Sequence, residues 1–264
     1  MGQAISTSAL WGIKRLLPQA YLENFETLVE EASVPCGLGP MILSTEVVGC
    51  VDALCSDSDT PLLQLAELQD HRIAGVMTPM LERSKTVADA VRAVLMFNCR
   101  HAEPLYWTGS LRGDHVAITG WFDRPAGVSI AQAERLCTLG VFQLVAGFQS
   151  ALGDAFQPTL IRIKPSASSK EWPSHFLGVP IESDAPETEL LFARSCLAHA
   201  NPLRREVSAT PQLVAERERY QEDAKKSLLR NDTCSWIRAH LPSGNCDLTQ
   251  LATRLNCDKR TLQR

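Results

Sequence analysis

The sequence predicts an α+β protein: N-terminal helices and a small mixed or antiparallel sheet packed on one long helix, followed by a short all-α segment at the C-terminus. Three observations point there. Apolar residues recur at helical spacing through most of the first hundred positions, as in Tyr21, Leu22, Phe25, Leu28, Val29 and Ala32. Aromatic and β-branched residues then crowd into 105–111 and 115–122, either side of Arg112-Gly113-Asp114, which reads as a β-hairpin. Next, the stretch from Ser129 to about Gly153 carries apolar residues around most of a helix surface. That helix is expected at the centre of the fold, covered on more than one side.

Taken in order, residues 1 to about 18 read as irregular and then weakly helical. A helix over 19–33 is ended by Pro35, Gly37, Gly39 and Pro40. Ser44 is expected to cap a second helix, with Val47, Val48, Val51 and Leu54 on its apolar side. Thr60-Pro61 supplies a cap and a first-turn proline for a third. Ile73 to Leu81 fits helix or strand by periodicity; helix is the reading adopted, although Pro79 sits awkwardly inside either. Thr86 caps the next helix, which runs to Asn98, with Asp89 three residues on in a near capping box. In the hairpin, Val116, Ile118 and Gly120 share one face. Pro158 to Lys164 reads as a strand. Ser168 begins a helix through Trp172, Phe176 and Leu177 that stops at Gly178. Strands at Val179–Glu182 and Glu189–Phe192 follow, then a short helix near Arg194, and Asn201-Pro202-Leu203 closes the domain. Residues 203–215 read as a linker, about 211–230 as a polar helix, and Thr233–Leu241 as a further helix.

Composition narrows the class. With 264 residues, 45% hydrophobic and 21% charged, the chain suits a soluble globular protein with a real core. No unbroken run of eighteen or more apolar residues occurs, so no membrane span is expected. The N-terminus is too short and broken in its apolar part for a signal peptide, and Gly2 with Ser6 fits a myristoylation pattern only superficially. The nine cysteines (36, 50, 55, 99, 137, 196, 234, 246 and 257) include no Cys-x-x-Cys pair. That argues against zinc and disulfide frameworks and for reduced thiols in a cytoplasm. The net charge of −4 excludes indiscriminate coating of nucleic acid. From 230 to 264, however, six Arg/Lys stand against three Asp, a local excess of +3.

That basic tail reads DLTQLATRLNCDKRTLQR. Leu248, Leu251, Ala252 and Leu255 form one helical stripe; Asn256, Cys257 and Asp258 break it; Asp258 is placed to cap a second helix from Lys259. Thr261 and Leu262 are expected to pack inward. Lys259, Arg260, Gln263 and Arg264 then project outward, groups suited to phosphates and base edges.

These residues resemble the first helix-turn-helix of AraC/XylS-family transcription regulators, with Leu251-Ala252, Leu255 and the run Arg260-Thr261-Leu262-Gln263-Arg264 in place and Cys257-Asp258 departing from the usual small residue and Ser. A second stretch, HFLGVPIESDAPETELLFARSCLAHANP, resembles the end of the N-terminal effector domain of that family's arabinose-binding-like branch, through Phe176, Gly178, Pro180, Ala185-Pro186, Leu190, Phe192, Leu197 and Ala200-Asn201-Pro202. The resemblance implies an effector and dimerisation domain over 1–202, the 203–215 linker and a partial DNA-binding domain over 216–264. It implies a homodimer acting on promoter DNA in response to a small organic effector, with no cofactor and no metal. Such DNA-binding domains hold two helix-turn-helix units, whereas this sequence stops inside the first recognition helix. A piece of a longer protein is therefore expected, one that binds operator DNA poorly by itself.

For the effector, Tyr106, Trp107, Trp121, Phe122 and Arg124, between the hairpin and the 129–153 helix, combine aromatic surface with a cation. A dimerising interaction module without its own DNA binding is the alternative. A small hydrolase built on His71, His101, His115 or His175 is a third reading, but no Gly-x-Ser-x-Gly, His-Glu-x-x-His or phosphate-binding glycine loop occurs.

Overall fold

The computed structural model describes residues 3–32, 40–56, 60–165, 172–205, 233, 236–237, 246–255 and 258–262. The expected helices near 211–230 and over most of 233–241 lie outside these residues.

The α+β class holds. Near the N-terminus, β1 (Ala4–Ser6) pairs antiparallel with β2 (Met41–Leu43), where irregular chain was expected. Strands of three residues are shorter than the window in which periodicity is readable. Between them lies α1 (Gln19–Glu30), which buries Phe25. The next helix, α2 (Ser44–Leu54), has Leu43 in the cap position, so Ser44 is its first residue and no side chain caps it. Ser44 is instead buried, its N–H donating to Gln3 O at 2.9 Å. Helix α3 (Thr60–Glu67) follows.

The expected single helix over 73–81 is two pieces. A 3₁₀ stretch (His71–Met77) is kinked at Gly75 (φ 52°, ψ −117°), and α4 (Thr78–Arg83) starts afresh with Pro79 in its first turn, where a missing N–H does no harm. Gly75 is required there: a Cβ would stand 2.6 Å from Ser8 Oγ. Helix α5 (Val87–His101) has the full Thr86/Asp89 capping box and runs three residues beyond Asn98.

The hairpin forms as expected: β3 (Leu105–Arg112) and β4 (His115–Phe122) pair in full register around Gly113 (φ 60°). Ser129 and Gln132 make a capping box on α6 (Ile130–Leu152). Strands β5 (Pro158–Arg162), β6 (His175–Phe176), β7 (Val179–Glu182) and β8 (Glu189–Ala193) complete a six-stranded sheet in the order β3-β4-β8-β5-β7-β6, mixed because β5 and β7 run parallel. The helix expected through Phe176 is contradicted. Phe176 pairs with Val179, and Leu177 (φ 47°) and Gly178 (φ 80°) make a two-residue turn that no helix can contain. A 3₁₀ turn (Arg194–Ala198) then leads to buried Asn201, whose amide nitrogen donates to Leu81 O (2.7 Å) and Ser84 O (2.9 Å). Further on lie α7 (Leu248–Arg254) and α8 (Lys259–Leu262).

Helix α6 serves two cores. Its first half, including Ala133, Leu136 and Leu139, packs with residues of β1, α2 and α3. Its second half, from Val141 to Leu152, packs with α5 and the sheet. Together with the turn after it, Ile130–Ala155 is long and apolar enough to cross a membrane, although the sequence holds no unbroken apolar run of that length; most of the stretch is buried inside the protein.

Where α6 meets the sheet, the Trp107 ring fills a slot. A Cβ on its cross-strand neighbour Gly120 would fall 2.2 Å from the ring, and one on Gly140 of α6 would fall 2.8 Å from it. Gly120→Ala is expected to lower the unfolding free energy by about 2 kcal/mol, the usual scale of overpacking. Gly140→Ala should be milder, because alanine gains about 1 kcal/mol in helix propensity. Urea unfolding of both variants tests the order; equal stability to the parent would show the slot to be slack.

Candidate functional site

Two spaces flank this junction. One is a cleft of about 660 Å³, lined by Thr108, Arg112, Trp121, Arg124, Lys164 and Glu187 among others. Arg112 of its lining joins a buried ion-pair cluster. Glu189, 3% exposed, receives Arg112 at 2.8 Å and Arg162 at 3.0 Å, and Thr119 Oγ1 donates to it at 3.4 Å. Arg162 also reaches Glu182 at 2.8 Å, and the two carboxylates, Glu182 foremost, raise its already high pKa. A buried carboxylate is tolerable only with such partners.

The other space is a smaller, mostly apolar pocket of about 80 Å³ between the N-terminal segment, the His71–Met77 turn, α5, β3 and α6. Ile5, Ala9 and Leu10 line it from the N-terminal side. They form a strap tied down by polar groups. Gln69 Nε2 donates to Ala9 O (3.1 Å) and Trp11 O (2.8 Å), Gln143 Nε2 to Ala9 O (2.7 Å) and Gln69 Oε1 (3.0 Å), and Ser8 Oγ to Ile73 O (3.0 Å).

Four polar residues interrupt the apolar wall: His71, Asn98, His101 and Gln143. Three have partners. His71 Nδ1 meets Ser150 Oγ at 3.1 Å, Asn98 Nδ2 donates to Leu105 O, and Gln143 is described above. His101 differs. It is 8% exposed, and its Nδ1 is buried with no hydrogen-bond partner among the described residues. Burial disfavours the imidazolium and pushes its pKa down to about 4, so the ring is neutral near pH 7.

The expected effector residues divide between these spaces. Trp107 and Phe122 line the cavity, while Trp121, Phe122 and Arg124 line the cleft. Tyr106 is buried and stacks on Trp121 with ring centres 5.6 Å apart. Arg124 is exposed and donates to Val128 O at 2.8 Å, bracing the turn before α6. Asn98 and His101 were not among the expected effector residues, yet a signal existed: they lie three apart on the stripe of α5 that also carries Val87, Ala90, Val91 and Val94. Of the other histidines, His115 opens β4 and His175 lies on β6 at the far edge of the sheet, both exposed, so the structure does not gather the four. Among the described residues, no three His, Cys, Asp or Glu side chains converge where a metal ion could be held. Cys50 is a thiol whose pKa burial, aided by Glu46, pushes up to about 11, which makes it unreactive.

In the tail, Asp247 Oδ1 accepts from Thr249 N (2.7 Å) and Gln250 N (2.8 Å), and Asp258 Oδ1 from Thr261 N (2.7 Å). These bonds to backbone N–H groups hold both carboxyls below their ordinary pKa. Ala252 is buried, and Lys259 and Arg260 are exposed. Thr261 is exposed too, contrary to the inward packing expected of it; on a helix of four residues it cannot share a buried stripe of any length. Gln263 and Arg264 lie outside the described residues.

The depressed pKa of His101 makes stability depend on pH. The unfolded chain binds a proton near pH 6.5 and the folded chain only near pH 4, so this contribution is complete above pH 6.5 and is lost as pH falls toward 4. The expected loss by pH 5 is about 2 kcal/mol in urea unfolding. His101→Leu should remove that part of the pH dependence; an unchanged slope would show that another group carries it.

No protein-family model matches the chain, and no curated relative matches its sequence. Among solved structures, its fold is similar to that of the transcriptional regulator CdpR from Pseudomonas aeruginosa, at 13% sequence identity and a TM-score of 0.57, over 90% of this chain and 75% of that one. At that identity the likeness establishes a shared fold.

Proposed function

We propose that the protein is a ligand-responsive transcription regulator of the AraC/XylS type, with a sensing and dimerising body over 1–202, a linker over 203–215 and the opening of a DNA-binding domain over 216–264. The observation that carries this reading is the pair of Asp-capped helices α7 and α8, with Lys259 and Arg260 of α8 exposed to solvent. The fold shared with a transcriptional regulator supports it. In this reading α8 begins the recognition helix. Lys259 and Arg260 contact phosphates or guanine edges, Gln263 reads adenine, and Arg264 contacts phosphate. The protein acts as a homodimer in the cytoplasm and is not an enzyme. A small effector bound in the body shifts the population between two arrangements of body and DNA-binding domain.

The test is a gel shift of the promoter fragment of the protein's own gene by the product of the complete reading frame. A specific shift is expected, and a fragment left unshifted in every condition would sink the proposal. Arg260→Ala or Lys259→Ala should weaken binding roughly tenfold, the scale of a good base contact, or reduce the salt dependence by about one phosphate equivalent. Circular dichroism checks that the variants fold; unchanged affinity would remove these residues from the interface.

A further inference from the structure

We propose that the free edge of β3 is where two copies of the chain meet, strand against strand, about a two-fold axis at Ser110. The proposal names an interface for the homodimer read above and rests on that reading.

The edge is open. β3 ends the six-stranded sheet, with β4 as its strand neighbour on the other side. Gly109 to Gly113 are all exposed, so nothing covers this half of the edge, and Leu111 stands 58% exposed there. Proteins guard such edges with prolines, lysines, bulges or very short strands. β3 is eight residues long, contains no proline or lysine, and pairs with β4 without a register shift. Its one charged side chain, Arg112, is engaged by Glu189 of its own sheet.

The hairpin decides which backbone groups face outward. Its last rung, Arg112 with His115, flanks the two-residue turn Gly113-Asp114, so these two residues bond to each other. Alternate residues Arg112, Ser110 and Thr108 therefore spend their N–H and C=O groups on β4. Gly109 and Leu111 turn theirs to the free edge. An antiparallel second copy of β3 satisfies both when Gly109 faces the partner's Leu111 and Leu111 faces the partner's Gly109. Each of those rungs exchanges both of its N–H···O=C bonds, and Ser110 meets the partner's Ser110 on the axis.

The side chains agree with that register. By strand alternation Leu111 and Gly109 share the face of Trp107. Gly109 has no side chain, and Leu95 Cδ1 of α5 stands 3.0 Å from where its Cβ would be. Leu111 of each copy comes down beside the partner's Gly109 and that half-buried leucine, which removes apolar surface from water. On the opposite face Thr108 lies against the partner's Arg112, so no like charges oppose each other. Each copy uses its β3 edge once, so assembly closes at the dimer.

Sedimentation equilibrium of the protein over a concentration series is expected to show a monomer–dimer equilibrium. Leu111→Lys should weaken the dimer by roughly tenfold or more, since it removes one buried leucine and adds an edge charge. Circular dichroism checks that this exposed site leaves the fold intact. Ser110→Cys supplies an independent, positive readout. Facing residues of such a rung have Cα atoms about 4.5 Å apart, within disulfide reach. Under mild oxidation this variant should give a disulfide-linked dimer absent from the parent with its nine cysteines. Thr108→Cys should not, because its two copies lie about 13 Å apart along the strands. Sulfhydryl linkage no faster in Ser110→Cys than in Thr108→Cys, or a dimer indifferent to Leu111→Lys, would overturn the β3 interface and leave the homodimer reading intact. A monomer at every concentration would overturn both.

Discussion

The placement of Trp107 between Gly120 and Gly140 sets the distance between the sheet and α6, and much else depends on it. An indole buried to 2% exposure needs a large apolar slot, and neither glycine position has room for a Cβ. The two glycines therefore let strand and helix close on the ring from opposite sides. The same indole, with Gly140, also lines the pocket that holds His101. A junction this tightly packed resists compression, so the space next to it keeps its shape.

The N-terminal segment closes that space with buried Ile5, Ala9 and Leu10 and with polar anchors. The run from Ala4 to Trp11 contributes a three-residue strand and a single 3₁₀ turn, too little to hold itself. Gln69, Gln143 and Ser8 anchor it through backbone carbonyls, and Ala4 N donates to Glu103 Oε2 at 2.8 Å. Such bonds contribute individually about 1 kcal/mol, far less than the burial of a core helix face. The floor belongs to α6, shared by both cores, so an event at the cavity reaches the sheet and the N-terminal helices through one rigid element.

The sheet's other charged cluster has a different character. Glu189 lies buried between Arg112 and Arg162 and is neutralised in place. The aromatic residues of the hairpin divide in the same way. Strand alternation sends Trp107 toward α6 and its neighbour Tyr106 to the opposite face, to stack on Trp121. Residues adjacent in sequence therefore serve different spaces, and five that look like one binding group form no single site.

Local patterns were enough to determine the α+β class, the Thr86 capping box, the hairpin with its Gly113 turn and the centrality of α6, whereas the second capping box, Ser129 with Gln132, emerged only in the structure. The short β1–β2 pair, the break at Gly75 and the β6–β7 turn were not legible, since each answers to a distant partner: Leu43 for Ala4, Ser8 for Gly75, and Val179 set against Phe176 in place of a helix. The same reason hid the cavity. Asn98 and His101 stood visibly on an apolar stripe, but whether a buried polar atom is satisfied depends on what four separate segments bring to it. Leu105 O reaches Asn98, while nothing among the described residues reaches His101 Nδ1. Hydrophobic periodicity decides which face turns inward; only the assembled packing decides what that face then meets.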